Sequence, residues 1–298
     1  MPSLEALKRK IENAEDLQSV VNTMKTLAAV SIRQFETAVE SLRDYHQTVE
    51  CGMRMLLWEM HEPPHVFTEG GRMGAIVFGS DQGMCGQFNE QIAGFTLDHL
   101  SQEQEHETPW AFLVIGMRAV SRLQDAGFSI DGEFEVPGSS MGISPVVQDL
   151  LEHIEKWQRA KRLHRIDLFY NRRISASAYR PHRQQFLPID PQRFYRLKQK
   201  RWDSRSLPCF TMDQGILFSR LIRQYLFVSL FQAFAESLAG ENASRIASMQ
   251  AASRNIEERL SELRTEYNQL RQTSITEELL DVVTGFEALT HTKKGNVP

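Results

Sequence analysis

The chain has 298 residues, 41% hydrophobic and 24% charged, with a formal net charge of −4. That balance is ordinary for a folded protein and gives no global pull toward nucleic acid or anionic lipid. Three scattered cysteines, Cys51, Cys85 and Cys209, with no CxxC pair, exclude a disulfide framework or a structural zinc motif.

The first residues, "MPSLEALKRKIENAED", lack an apolar h-region and carry early acids, so they are not read as a secretory or transit signal. From Ser3 to Cys51 there is neither proline nor glycine. Ser3 is a plausible N-cap, and Glu5 suits the helix dipole. Leu4, Leu7, Ile11, Ala14, Leu17, Val21, Met24 and Ala28 step by three or four, and Ile32, Phe35, Val39, Leu42, Tyr45, Val49, Met53 and Leu56 continue the series. This is a coiled-coil seam on a helix roughly 80 Å long, and it defines an N-terminal segment over 1–58. Within it "LQSVVNTMKTLAAVSI" (17–32) carries one charge, Lys25. A solvated helix face normally carries more, so either a second protein or several faces of another helix should cover it.

Residues 72–210 read as an α/β domain. "GAIVF" (74–78), "AFLVIG" (111–116), "FSIDGEFEV" (128–136) and "RIDLFYN" (165–171) are predicted strands. "FNEQIAGFTLDHLSQ" (88–102) and "SPVVQDLLEHIEKWQRA" (144–160) are predicted helices, and the alternation suggests a partly parallel, Rossmann-like sheet. "SAYRPHRQQFLPI" (177–189) adds a closing edge strand in which Pro181 limits pairing. The basic run Arg193, Arg196, Lys198, Lys200, Arg201 and Arg205 reads as a solvated linker, with an acidic partner contact as the alternative.

No proline interrupts the chain between Pro208 and Pro298, which predicts a helix over 213–289, roughly 115 Å long. Its most apolar stretch, 215–238, contains Arg220, Arg223 and Glu236, which argues for burial in protein rather than in a membrane. Ile246, Met249, Ser253, Ile256, Leu260, Leu263, Tyr267, Leu270 and Ser274 again step by three and four. The two long helices should pair as an antiparallel coiled coil, with a bend allowed at Gly240 or Gly285. The second helix outruns the first by roughly 30 Å. Its tip keeps Leu279, Leu280, Val282, Val283, Phe286 and Leu289, apolar surface that wants a socket in another protein.

The turn "GSDQGMCGQFN" (79–89) is the one stretch that looks like a site. It lacks the GxGxxG dinucleotide fingerprint, because Asp81 stands two positions before Gly83. It lacks the P-loop lysine, because Gln87 follows Gly86. No histidine comes with a motif that would make it the base for a nucleophilic Cys85. The default is a structural turn: Gly83 and Gly86 for positive φ or close packing, Asp81 as a cap, Cys85 as a small buried hydrophobe.

"VVNTMKTLAA" (20–29), "SDQGMCGQFN" (80–89) and "ENASRIASMQAASRN…YNQLRQTSITEELLDVVTGFEAL" (241–289) together resemble the gamma subunit of F-type ATP synthases, in the family's order. "RQTSITEELL" is the most specific of these matches, and 105–210 is only loosely family-like. The resemblance implies a non-catalytic rotor shaft without cofactor that transmits torque between a membrane ion-translocating ring and a catalytic head, coupling ion flow to ATP synthesis or hydrolysis. Its implied partners are the alpha and beta subunits, the epsilon subunit and the membrane c-ring, with no nucleotide on this chain. Its implied location is peripheral, on the cytoplasmic face of the inner membrane. By the same resemblance Met24 and Lys25 face the moving beta lever, and Arg271, Gln272, Thr276 and Glu278 lie at the C-terminal contact with beta. Gln82, Ser31 and Gln34 depart from the family's basic residues, which softens contact with acidic beta loops and suggests a divergent branch. The rivals are a coiled-coil adaptor and a cysteine-dependent or nucleotide-binding α/β enzyme.

Overall fold

The computed structural model describes residues 3–60, 72–102, 110–174, 178–200, 202, 206 and 209–294, with Arg173 and 286–294 described by their backbone alone. Two long helices carry nearly half of the chain: α1 over Leu4–Glu59 and α6 over Gln214–Lys294. Between them come β1 (Arg72–Phe78), α2 (Phe88–Gln102), β2 (Trp110–Ile115), α3 (Met117–Asp125), β3 (Gly132–Phe134), α4 (Ser140–Lys161), β4 (Leu163–Arg173), β5 (Tyr179–Leu187) and α5 (Pro191–Gln199). The chain divides into two compact units, one of residues 1–26 and 249–298, the other of residues 27–248.

In the first unit the start of α1 pairs with the far part of α6. Ser3 Oγ accepts the Ala6 N–H, capping a helix end whose donors lack intrahelical partners. Arg264 meets Glu15 at 2.6 Å and Gln18 meets Glu257 at 3.2 Å, so the helices run antiparallel. Leu7, Met249, Leu260 and Leu263 are its buried apolar side chains among the described residues. The seam slips at Leu17 here and, in the other unit, at Tyr45, which is also exposed. Leu17, expected inside, is exposed, and Gln18 takes the inward position because its amide reaches Glu257.

The second unit is built on a five-stranded sheet in the order β3-β2-β1-β4-β5. β1 is parallel to both β2 and β4, β2 is parallel to β3, and β5 closes the edge antiparallel to β4. β1 and β2 are near-continuous apolar runs because helices cover both faces, and β4 contributes Ile166, Leu168, Phe169 and Tyr170 between polar residues. One face packs Ile92, Leu100, Val120 and Leu123 of α2 and α3 against Val77, Val114 and Phe169. The other packs α4, the later half of α1 and the first part of α6 into a larger core containing Phe78, Leu113, Leu150, Leu168, Leu230 and Phe234. Pro181 lies on β5 opposite Asn171, at the sheet edge where a missing N–H is tolerated.

Four local expectations change. The strand expected over 128–136 shrinks to Gly132–Phe134, since Phe128 and Ile130 turn into the core and Asp131 accepts hydrogen bonds from Trp157 and Lys161. α4 begins at Ser140, four residues ahead of the expected Ser144; Pro145 forfeits only a first-turn bond to Met141, whose side chain is exposed. α3 was not anticipated: a nine-residue helix with three buried apolar side chains leaves little periodicity to read. The basic run is not a linker in its described part. Residues 191–199 form α5, started by Asp190 accepting the Gln192 N–H and by Pro191, and seated by buried Phe194 and Leu197. Arg201 and Arg205 lie outside the described residues. α6 runs through both Gly240 and Gly285 as one helix.

Candidate interaction surfaces and the glycine-rich turn

The 79–87 turn follows the carboxyl end of β1, where the strand order reverses between β2 and β4. In open α/β sheets that reversal leaves the crevice in which ligands bind. Here a helix of the same chain fills it. A Cβ on Gly240 of α6 would sit 3.0 Å from the Asn171 carbonyl and 3.6 Å from the Phe88 ring, so any other residue would press this backbone carbonyl back. One turn on, Ser244 Oγ donates to the Cys85 carbonyl and shares a hydrogen bond with the Tyr179 hydroxyl. Asn171, fully buried on β4, donates from Nδ2 to the Phe88 carbonyl at 3.1 Å. Gly86 has φ +57°, and a Cβ there would come within 2.8 Å of Ser248 Oγ.

Asp81 occupies the anion position. Its Oδ1 accepts the Met117 N–H at the start of α3, and its Oδ2 accepts the Val136 N–H at 2.7 Å. A helix N-terminus of this kind elsewhere receives phosphate; here a carboxylate of the chain meets it. The other turn residues separate. Gly83 does not take a positive φ; Met84 does, at 62°, with its side chain exposed.

Cys85 is buried, with Sγ 3.5 Å from Ser80 Oγ and 3.6 Å from both the Gln82 carbonyl and Asn89 Nδ2. Burial pushes its pKa up, Ser80 partly opposes that, and Glu241 adds to the rise. A thiol held protonated is a poor nucleophile. Behind the turn, Glu241 and Arg245 form a buried ion pair at 2.6 Å, with burial raising the Glu241 pKa against the pull of Arg245. No group of metal-ligating side chains occurs among the described residues. No described helix is long and apolar enough to cross a membrane.

The six residues singled out on the long helices do not form one cluster. Met24 and Lys25 are half-buried on α1, with Lys25 Nζ 3.3 Å from Asn22 Oδ1. Leu17 and Val20, on the preceding turns, are more than half exposed. Arg271, Gln272, Thr276 and Glu278 are exposed on α6, and Thr276 Oγ1 donates back to the Gln272 carbonyl. Because Glu15 meets Arg264 and Gln18 meets Glu257, these two sets lie toward opposite ends of the paired region. The same pairing brings the start of α1 level with Leu270 to Ile275, and α6 continues beyond it without a partner helix among the described residues. Leu279, Leu280, Val282 and Val283 on that extension are 50–70% exposed. The side chains of Phe286 and Leu289 lie outside the described residues.

A family model described as ATP synthase matches residues 3–289, almost the whole chain. The chain belongs to the ATP synthase family. It is similar to the ATP synthase gamma chain of Haemophilus influenzae, 27% identical over 297 residues, covering 97% of this chain and 100% of that one. Among solved structures, a chain of the Euglena gracilis mitochondrial ATP synthase OSCP/F1/c-ring in rotational state 3 has a TM-score of 0.63 at 15% identity, covering 99% of this chain and 96% of that one. A chain of the Tetrahymena thermophila mitochondrial ATP synthase central stalk/c-ring has a TM-score of 0.58 at 18% identity, covering 78% of this chain and 99% of that one. These two likenesses show a shared fold. Within its family the chain is a gamma-type central-stalk subunit: a non-catalytic rotor part, peripheral in a membrane-bound complex. The adaptor and enzyme readings fall with that membership.

Proposed function

We propose that this rotor subunit works through two contact sets on its helix pair, one at Met24 and Lys25, the other at Arg271, Gln272, Thr276 and Glu278. Both face beta subunits of the catalytic head, whose alpha and beta subunits surround the shaft. The α/β unit meets the epsilon subunit and the membrane c-ring, on the cytoplasmic face of the membrane. Asp81, Gly83, Cys85 and Gly86 serve the turn and carry no chemistry.

The observation that carries this reading is the unpartnered end of α6, with Leu279, Leu280, Val282 and Val283 exposed on successive turns. Exposed apolar surface of that kind is costly in water and is retained where another protein covers it. The exposed apolar side chains of the tip and of residues 17–32 slide against their socket. A few polar groups then supply angular registry, and Lys25, the one charge in residues 17–32, interacts strongly with an acid in a desolvated contact. An asymmetric shaft turning inside a ring presents each catalytic site with a different face in turn.

The test is co-expression of the full chain, and of a chain ending at Leu279, with alpha and beta subunits. The intact chain should co-purify in a complex with ATPase activity. The shortened chain should lose most of that assembly while its α/β unit stays folded by circular dichroism. Equal assembly by both chains would overturn the assignment of the tip.

A further inference from the structure

One end of the α/β unit gathers positive charge that the net −4 of the chain conceals. Lys156, Arg159, Lys161, Arg162 and Arg165 run from the last turns of α4 into β4, with no acid among residues 156–166. Arg193, Arg196, Lys198 and Lys200 follow on and after α5, with no acid among residues 191–200. Ile166 of β4 pairs with Leu187, the last residue of β5, so both runs meet at the amino end of the parallel strands.

The long helices reach the same end. Phe234 of α6 packs on Phe78, the last residue of β1, with ring centroids 4.9 Å apart, and Gly240 lies farther on, against Asn171. The first turns of α6 therefore lie toward the amino end of the sheet. A Cβ on Gly52 would sit 3.0 Å from Leu221 Cδ2, which sets the last turns of α1 beside them. Trp58 Nε1 donates to the Lys198 carbonyl at 2.9 Å, which brings α5 there too. Trp58, Tyr195, Met212 and Ile216 are 39–55% exposed at this end.

Some of the cations are occupied. Lys161 meets Asp131 at 2.8 Å, Arg193 meets Glu50 at 3.6 Å, and Lys198 Nζ donates to the Met60 carbonyl at 2.8 Å. Arg159, Arg162 and Lys200 are exposed and make no ion pair among the described residues. Of the nearby acids, Asp190 and Asp213 cap α5 and α6, while Glu59 stays exposed. Asp98 and Asp125 belong to α2 and α3 on the other face of the sheet, and Glu103, Glu105 and Glu107 lie outside the described residues. Arg162 has φ +53°, a left-handed position after a helix that glycine fills at least cost.

We propose that this end of the α/β unit is a lipid-binding surface, on which Arg159, Arg162 and Lys200 engage the headgroup phosphates of an anionic bilayer while Tyr195 and Ile216 enter the interface. Long basic side chains around exposed aromatic and aliphatic ones are the combination that an anionic membrane surface attracts. An acidic protein would need the cations alone; the exposed apolar side chains beside them favour lipid. The chain is peripheral in a membrane-bound complex, so a bilayer is at hand. The inference rests on that membership and not on the beta contacts.

Co-sedimentation of the full chain with vesicles tests it. The chain should pellet with vesicles of phosphatidylcholine mixed with phosphatidylglycerol, stay in solution with phosphatidylcholine alone, and be released by salt. Lys200→Gln and Arg162→Gly should each weaken binding about fivefold, the effect of one basic residue near an anionic surface. Glycine relaxes the left-handed position, so Arg162→Gly should hold its melting temperature while its lipid binding falls. Leu279→Ala, on the exposed end of α6, should bind vesicles like the wild type. Equal binding to both kinds of vesicle, full affinity in Lys200→Gln and Arg162→Gly, or a loss seen only in Leu279→Ala would each overturn the proposal. So would failure to bind the mixed vesicles, which would leave an acidic protein as the occupant of this end.

Discussion

The two units of this chain use the same two helices in opposite ways. In residues 27–248 the helices are walls of a filled core: Leu230, Ala233 and Phe234 of α6 and Met53 and Leu56 of α1 are buried with the sheet. In the described part of residues 1–26 and 249–298 the same helices pack on each other, and Leu7, Met249, Leu260 and Leu263 are the buried apolar side chains there. A helix pair alone buries a narrow stripe of each helix. One unit is stabilised from within, while the other leaves apolar side chains exposed.

Substitutions in the two units should separate these cases. The largest effect is expected at Gly240, where any Cβ meets the Asn171 carbonyl. Gly240→Val should lower stability by about 3 kcal/mol or more, seen as a fall in melting temperature of the full chain. A Gly240→Val chain that melts like the wild type would mean that α6 does not seat in the crevice. A smaller but still large loss should follow Leu113→Ala, a fully buried strand residue, at roughly 2–5 kcal/mol. Leu279→Ala, on the exposed tip, should change chain stability by no more than about 0.5 kcal/mol while weakening assembly of the head. Equal losses in denaturant titrations of the two variants would erase the distinction between the units. The smallest effect has the opposite sign. Gly285 has open space around its Cβ position, so Gly285→Ala should add about 1 kcal/mol to local helix stability, measurable as slower amide exchange near the tip. Faster exchange there would show that the glycine is needed for its conformation.

Much of this architecture was legible in the chain because it rests on long repeats. Three-and-four spacing over dozens of residues gives both long helices, and apolar runs between turn residues give β1 and β2. What escaped was short or decided from a distance. α3 has nine residues, and α5 hides its Phe194 and Leu197 stripe inside a basic run. Leu17 and Gln18 exchange places because a polar partner on another helix outbids a local periodicity. For the turn, the missing P-loop lysine and GxGxxG spacing already argued against a nucleotide. The reason the crevice is closed lies in Gly240 and Ser244, some 150 residues away in sequence, as the separation of 159 between Ser244 and Cys85 illustrates. Nothing local marks those two residues as the partners of that turn.

The closure of that crevice has a consequence for inhibition. α6 behaves toward the sheet as a tethered ligand, with glycine and serine in place of phosphate-binding chemistry and Asp81 supplying the anion. A tethered ligand competes at a high effective concentration, of millimolar order or above, and never diffuses away. A soluble nucleotide would have to displace a helix that also belongs to the hydrophobic core. On the α6 side of the turn, the place where such folds take small molecules is held by the chain's own C-terminal segment.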